Sequence, residues 1–397
     1  MNVIAIISIW FTIWTGLGLL FFFKAIRANW REPVFHHPIL IFESDDWGPG
    51  PTEHADALNK LSKTLSGYHD KSGQHPCFTL ALQLTAPDPK QPLTTSGNQL
   101  NRIDLSHPDQ APVLSAINAG VADKTFSLHL HGLEHFRAET LLEHANQKEG
   151  IFHWLTSRAE TESLPPMLQT RWNPIAHHDQ TRQARVDTKS AYDEAKLFEK
   201  IFSHPAQVAV PPCFVWNPNV EQGWQKAGIS VVVTPGCRFD QRRDDGTLSR
   251  VSGAIHTGDL SPTGLLYLVR DRYFEPYLGH TAEDGLHALS EKTAQGRPTL
   301  LETHRANFIR SAEHNQHALE HLKIILTEAQ KKWPELRFTN TWNLAQAIRT
   351  GDPQWICFDT IRRIRIWWHR MESVPRWRKW LLVSGWWLVS RLMKEKI

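Results

Sequence analysis

The chain has only four cysteines, Cys77, Cys213, Cys237 and Cys357, and no two of them form a C-x-x-C pair. That spacing excludes a zinc ribbon, a thioredoxin-type redox site and a disulfide-built scaffold. Gly (22) and Pro (24) are few and scattered among 397 residues, which excludes a collagen-like or linker protein. Charged residues make up only 21% against 41% hydrophobic, so the chain is not disordered and has apolar area for a large core. There is no internal repeat, and no nucleic-acid motif accompanies the basic segments. No Lys or Arg occurs before Lys24, so the positive leader of a cleaved signal peptide is missing. What the chain has in excess is 22 His and 17 Trp.

The two ends are distinct from the body. Val3 to Phe23 carries no charge and is followed by Lys24, Arg27 and Arg31. About 20 apolar residues let a helix cross a bilayer, so residues 1–32 read as an uncleaved transmembrane anchor with a basic flank. The cations after the span place the body on the cytoplasmic side of a bacterial-type inner membrane, as a single-pass protein. Residues 361–397 hold ten Lys or Arg, two Glu and six Trp. Trp380–Met393 is apolar but short and contains Arg391, so residues 351–397 read as an amphipathic tail at the membrane interface, contacting lipid. With both ends removed, residues 33–360 carry a net charge of −7.

Within the body, near-continuous apolar runs predict buried strands at Ile39–Glu43, Phe78–Leu84, Thr125–Leu130, Gln207–Val210, Ser230–Thr234, Gly264–Val269 and Thr299–Glu302. Helical patterns lie at 53–66, 187–202, 218–227, 282–295 and 311–331, with Asp187 as an N-cap and Gly228 as a stop. Residues 86–110 read as a long loop and 150–186 as irregular. The alternation predicts an α/β chain with residues 33–350 forming one (β/α) barrel.

Chemistry in such a barrel gathers at the C-terminal strand ends. Asp45-Asp46 follows the first strand, His131 and His135 the third, and Cys213 the fourth. Arg238 follows the fifth, Arg270-Asp271 the sixth and His304 the seventh. Two adjacent carboxylates allow one to bind a cation while the other accepts a proton; an Asp-rich turn is the plain alternative. The spacing of His131 and His135 puts two imidazoles on one face of a helical turn, and with Asp46 they make a His₂Asp set open to water and substrate. H-x-x-E-H also matches an inverzincin protease, but that motif belongs inside a helix and here follows a strand. His304 has the chemistry of a general acid. His36-His37 and His177-His178 read as bystanders.

In order and position, these motifs resemble the polysaccharide deacetylases, the carbohydrate esterases with a NodB-homology domain. Glu43-Ser44-Asp45-Asp46-Trp47-Gly48 is similar to the family's T-F-D-D-G, with Trp47 inserted. His131-Gly132-Leu133-Glu134-His135 resembles H-[S/T]-x-x-H, with Gly132 in place of the hydroxyl residue. Val210-Pro211-Pro212-Cys213 resembles R-P-P-Y, and Leu300-Leu301-Glu302-Thr303-His304 resembles the closing L-x-x-H. The resemblance spans roughly residues 38–345. It implies a distorted (β/α)7–8 barrel and a divalent metal, zinc, on Asp46, His131 and His135. It further implies Asp45 as general base, His304 as general acid, and an oxyanion contact from the Cys213 backbone N–H.

Two departures affect the expectation. The third-motif Arg that pairs with the base is Val210 here, so Arg238, Arg270 or Arg171 is expected to replace it; without it, the Asp45 pKa would rise. The fourth motif is not recognisable, and Asp271 is the candidate for its role. Trp47 and Trp216 are candidates for stacking on sugar rings. The expected function is removal of acetyl groups, N-acetyl before O-acetyl, from a glycan or lipid-linked saccharide, with no nucleic-acid partner. Another metal-dependent amidohydrolase on the same barrel, or a non-catalytic glycan-binding protein, is the alternative.

Overall fold

The computed structural model describes residues 3–97, 99–145, 149–157, 161–174 and 179–387. Helix α1 (Val3–Arg31) leads into strand β1 (Ile39–Trp47). There follow α2 (Glu53–Ser66), β2 (Phe78–Gln83), α3 (Ala111–Ala122), β3 (Phe126–Gly132), α4 (Gln180–Phe202), β4 (Val208–Ala209) and α5 (Pro218–Ala227). Next come β5 (Val231–Thr234), β6 (Leu266–Val269), β7 (Arg272–Tyr273), α6 (Ala282–Ala294) and β8 (Thr299–His304). The chain continues through α7 (Ala312–Lys332), β9 (Arg337–Phe338), α8 (Thr341–Thr350), α9 (Thr360–Met371) and α10 (Trp377–Ser384).

The nine strands form one parallel sheet in the order β6-β5-β4-β3-β2-β1-β8-β7, with β9 added beside the start of β1. β6 and β7 are separated only by Arg270-Asp271, yet β6 pairs with β5 and β7 with β8. The ring is thus joined through the chain itself at Arg270, giving the distorted (β/α) barrel expected from the strand runs. The Asp187 cap is a correction: Asp179 caps α4, accepting from Thr181 and Arg182, and Asp187 is buried within the helix, bound to Arg137 at 2.9 Å. A helix in this register buries Ala191, Ala195 and Phe198, so it starts two turns earlier than its apolar pattern. Of the loop at 86–110, Thr85–Pro87 and Arg102–Asp104 pair as an antiparallel ribbon. His177-His178 fall outside the described residues.

Strand alternation divides the core in two. Ile39 and Ile41, with Ala81, Val208, Val210, Val231, Val233, Leu266, Leu268 and Leu300, fill the barrel interior. Leu344 and Ala345 of α8 plug it from below. Leu40, Phe42, Phe78, Leu80, Leu82 and Leu301 face outward against α2, α3, α6 and α7. The same parity carries Glu43 and Asp45 inward after Ile41, and Glu302 and His304 inward after Leu300.

α1 is the helix among the described residues that is long and apolar enough to cross a membrane, and it exposes Ile6, Trp10, Ile13, Leu20, Phe21 and Phe23. The tail is docked on it. Trp368, Met371, Trp377 and Leu381 pack with Phe22, Ala25 and Ile26. The Trp386 Nε1–H donates to Thr15 Oγ1 at 3.1 Å, and its ring meets Phe11 edge-on. α10 therefore runs back along α1, where a separate interfacial helix was expected for Trp380–Met393; residues 388–397 fall outside the described part.

Candidate active site

The end of β1 explains how adjacent aspartates share one cleft. In a regular strand they would point to opposite faces. Asp46 instead adopts φ 71°, a left-handed conformation that Asp tolerates better than most residues, and the pairing with β2 slips between Ser44 and Trp47. That kink turns both carboxylates to the rim. It also sends Trp47 outward into the core, where its Nε1–H donates to Ser44 Oγ at 2.8 Å.

The histidines come from β3 and the bend after it. His131 is the last residue but one of the strand and His135 lies in an irregular turn, so the helical turn expected between them is a correction. Gly132, at φ 109°, allows the reversal, which explains a glycine where the family pattern has a hydroxyl residue. Buried charges hold the bend. Glu134 is bonded to Arg102 and lies 3.6 Å from Arg171; Glu194 accepts from the Leu133 N–H at 3.1 Å and pairs with Arg171 at 3.1 Å. His131 Nδ1 donates to the Val210 carbonyl at 2.7 Å, which leaves the Nε2 lone pair facing the cleft.

That nitrogen lies 3.3 Å from Asp46 Oδ1, and His135 Nε2 lies 3.6 Å from the same oxygen. The three donors are buried and lie within 4.8 Å of one another, a set that fits a divalent cation. Burial opposes the Asp46 charge, but the two imidazoles hold its carboxyl well below the usual range. Gln83 Nε2–H also donates to Asp46, at 2.9 Å.

Arg270 answers the missing third-motif arginine. Fully buried, it grips Asp45 with both ends of its fork, at 2.8 and 2.6 Å. It also reaches Glu302 at 3.1 Å and Glu43 at 3.3 Å. Burial pushes the Asp45 carboxyl up and Arg270 pulls it down further, to a net position below the ordinary value. The rise expected from Val210 is thereby corrected. Glu302, less directly paired, is pushed up to about 7 by burial. Burial also drives His129, on the inward face of β3, down to about 3, so it stays neutral.

His304 stands beside Asp45 across the β1–β8 register. Its Nδ1–H donates to Glu275 at 2.6 Å, which leaves Nε2 toward the cleft, 3.9 Å from Glu302. Burial would lower the imidazole pKa, but the Glu275 hydrogen bond and charge outweigh it and raise it well above 6.5. Asn307 donates to both Glu275 and Thr303 and so fixes the carboxylate that holds His304.

Asp45, Asp46, His131, His135, Cys213 and His304 line one cleft of about 170 Å³. Cys213 adopts φ 53°; its thiol receives Arg242 Nη1–H at 2.9 Å and is pushed up to about 11 by burial, so it is no ready nucleophile.

Other sequence candidates lie elsewhere. Trp47 and Trp216 are fully buried, and Trp216 Nε1–H donates to Glu221 at 2.8 Å; neither can stack on a sugar. Arg238 lies near Tyr267, and its backbone N–H binds Ser252. Asp271 pairs outside the cleft with Lys292 at 2.5 Å. Sequence reasoning missed Glu302, Glu275, Gln83 and Arg242. Strand parity from His304 could have found Glu302; Glu275, in the irregular turn after β7, gave no signal.

No family profile and no curated protein matches this chain. Solved structures with a similar course include a family 4 carbohydrate esterase from Streptomyces lividans in complex with acetate (9% identity, TM-score 0.34, 82% of this chain and 98% of the other). A family 4 acetyl xylan esterase from Clostridium thermocellum in complex with a cobalt ion is 12% identical (TM-score 0.34, 80% and 94%). A CE4 family pseudoenzyme from Bacillus anthracis is 8% identical (TM-score 0.35, 78% and 66%). Active and inactive proteins appear together, and likeness at this level carries no argument about chemistry.

Proposed function

We propose that this chain is a membrane-anchored, metal-dependent hydrolase that removes acetyl groups, N-acetyl in preference to O-acetyl, from a glycan. In this reading, residues 1–32 are the anchor, 33–350 the catalytic barrel and 351–397 the membrane-facing tail. The observation that carries it is the convergence on one rim of three independently supported units: the Asp46–His131–His135 donor set, the Asp45–Arg270 pair and the His304–Glu275 pair.

Asp46, His131 and His135 would hold a divalent cation, zinc by the nature of the donors, and such an ion supplies Lewis acidity and lowers the pKa of water. Asp45, kept ionised and oriented by Arg270, takes the proton of the attacking water. The backbone N–H of Cys213 donates to the developing oxyanion. His304, its Nδ1–H committed to Glu275, presents Nε2–H to the departing nitrogen and protonates it. An amine leaves poorly without that proton, whereas an alcohol needs it less, so a strongly supported acid favours amide cleavage. The non-catalytic alternative rested on a lost base–arginine pair, and Arg270 stands in that pair from the β6–β7 junction.

Metal analysis of the purified chain, followed by acetate release from N-acetylated oligosaccharides, tests the reading. One equivalent of metal and acetate release that falls about 10²–10⁴-fold in Asp45→Asn are expected for a general base. Equal release by the parent and Asp45→Asn would refute the mechanism, and no release from any acetylated glycan would favour the binding-protein alternative.

A further inference from the structure

The anchor and the cleft lie at opposite ends of the barrel. In a parallel barrel all strand N-termini share one face and all C-termini the other. α1 reaches β1 from its N-terminal end. Arg297, two residues before β8, pairs with Glu32 at 2.6 Å. Arg370 of α9 is fully buried at the same end, donating to the carbonyls of Asn29, Glu32, Pro33, Gln295 and Gly296. The Cys357 N–H binds the Val34 carbonyl there as well. The exposed cations Lys24, Arg27, Arg31, Arg362, Arg376 and Arg378 surround this base. Asp45, Asp46, His131 and His304 are at the C-terminal strand ends.

The separation follows from the chain. Arg297 to His304 is extended, and at ~3.3 Å per residue it spans about 23 Å. Ile26 to Glu32 adds about 9 Å of helix at 1.5 Å per residue if α1 stands upright. A sugar attached directly to a membrane lipid stays in the headgroup layer. To reach it the barrel would have to invert, breaking the Arg370 and Arg297 contacts.

Resting on the deacetylase reading, we infer that the enzyme acts on a sugar held roughly 20–30 Å from the bilayer, by the strand and helix rises above. The substrate is then an acetylated residue within a polymer or an extended oligosaccharide, not the first sugar on a lipid carrier. Two measurements on the full chain in phosphatidylethanolamine–phosphatidylglycerol vesicles test this. First, a fluorescent amino acid is placed at exposed Asp244, in the turn between the paired segments Phe239–Arg242 and Leu248–Arg250 that follow β5, or at exposed Gln354 on the base. Energy transfer to headgroup acceptors should be strong from Gln354 and weak from Asp244. Equal or reversed transfer would overturn the orientation whatever the activity.

Second, acetate release is compared for a soluble N-acetylated oligosaccharide and for an N-acetylated sugar joined directly to a lipid. The soluble substrate should be deacetylated in vesicles, and the lipid-joined one only in detergent. Equal turnover of both in vesicles would overturn the inference. No turnover of either, in vesicles or detergent, would count against the deacetylase reading, and energy transfer would still decide the orientation.

Discussion

Replacing Glu275 by Gln isolates the charge that supports the proposed acid. Gln keeps one oxygen to accept from His304 Nδ1, so the ring stays oriented while the negative charge is lost; the contact with Asn307, which uses the other carboxylate oxygen, is given up. An opposite charge within ~4–6 Å moves a pKa by about 1–3 units. The His304 side chain is 32% exposed, so water screens part of the effect. The direction is fixed: losing the carboxylate lowers the imidazole pKa. The proposed acid then loses its proton at lower pH, and the alkaline limb of kcat/KM for acetate release should move to lower pH, with the rate below the limb little changed. Linkage gives a second readout. A raised histidine pKa stabilises the fold fully below about 6.5, and that stability is lost as pH rises through the folded value. The Tm gap between parent and Glu275→Gln should therefore be widest at acid pH and close on the alkaline side. An unmoved alkaline limb, or an equal fall in rate at every pH, would refute His304 as the acid supported by Glu275.

His131→Ala should lose the metal with little change in Tm, because a catalytic site is not what folds the barrel; full metal occupancy measured in that variant would remove His131 from the ligand set. Arg270→Met should lower stability by about 3–5 kcal/mol in denaturant titration, since Asp45, Glu43 and Glu302 would share a buried space without their cation. A reporter active only in the periplasm, fused after residue 360, should stay silent if the body is cytoplasmic.

The fold was legible where apolar runs were long. The strand runs after residues 39, 78, 125, 207, 230, 264 and 299 all became sheet, because parallel strands covered on both faces leave little choice but Val, Ile, Leu and Phe. The cleft was legible where a residue ends such a run: Asp45, Asp46, His131 and His304 follow from strand ends. It was illegible where turns bring residues back. Glu275 reaches His304 from an irregular turn and has no periodic signature, whereas His135, found by its spacing from His131, reaches Asp46 through a bend at Gly132 and not through the helical turn expected. The aromatic candidates failed for another reason. Trp47 follows a kinked residue, and the kink reverses its face, so a side chain beside the site in sequence is packed against Phe308 in space.

Arg270 shows why a degraded motif does not mean a degraded site. A guanidinium that must reach Asp45 can start from either side of the barrel mouth, provided that its end meets the carboxylate squarely. From β4 it would stand at position 210. There the chain instead uses the Val210 carbonyl to fix His131, and an apolar side chain fills the interior. From the β6–β7 junction it crosses the interior at Arg270, with Phe214 beneath its plane at 5.2 Å and Glu302 and Glu43 taking its remaining donors. The move has a physical cost that fixes its surroundings. A guanidinium this deep needs several carboxylates, and those carboxylates need burial partners of their own, such as Thr341 for Glu43. Glu43, Glu302 and Thr341 should therefore tolerate substitution no better than Asp45, which they surround.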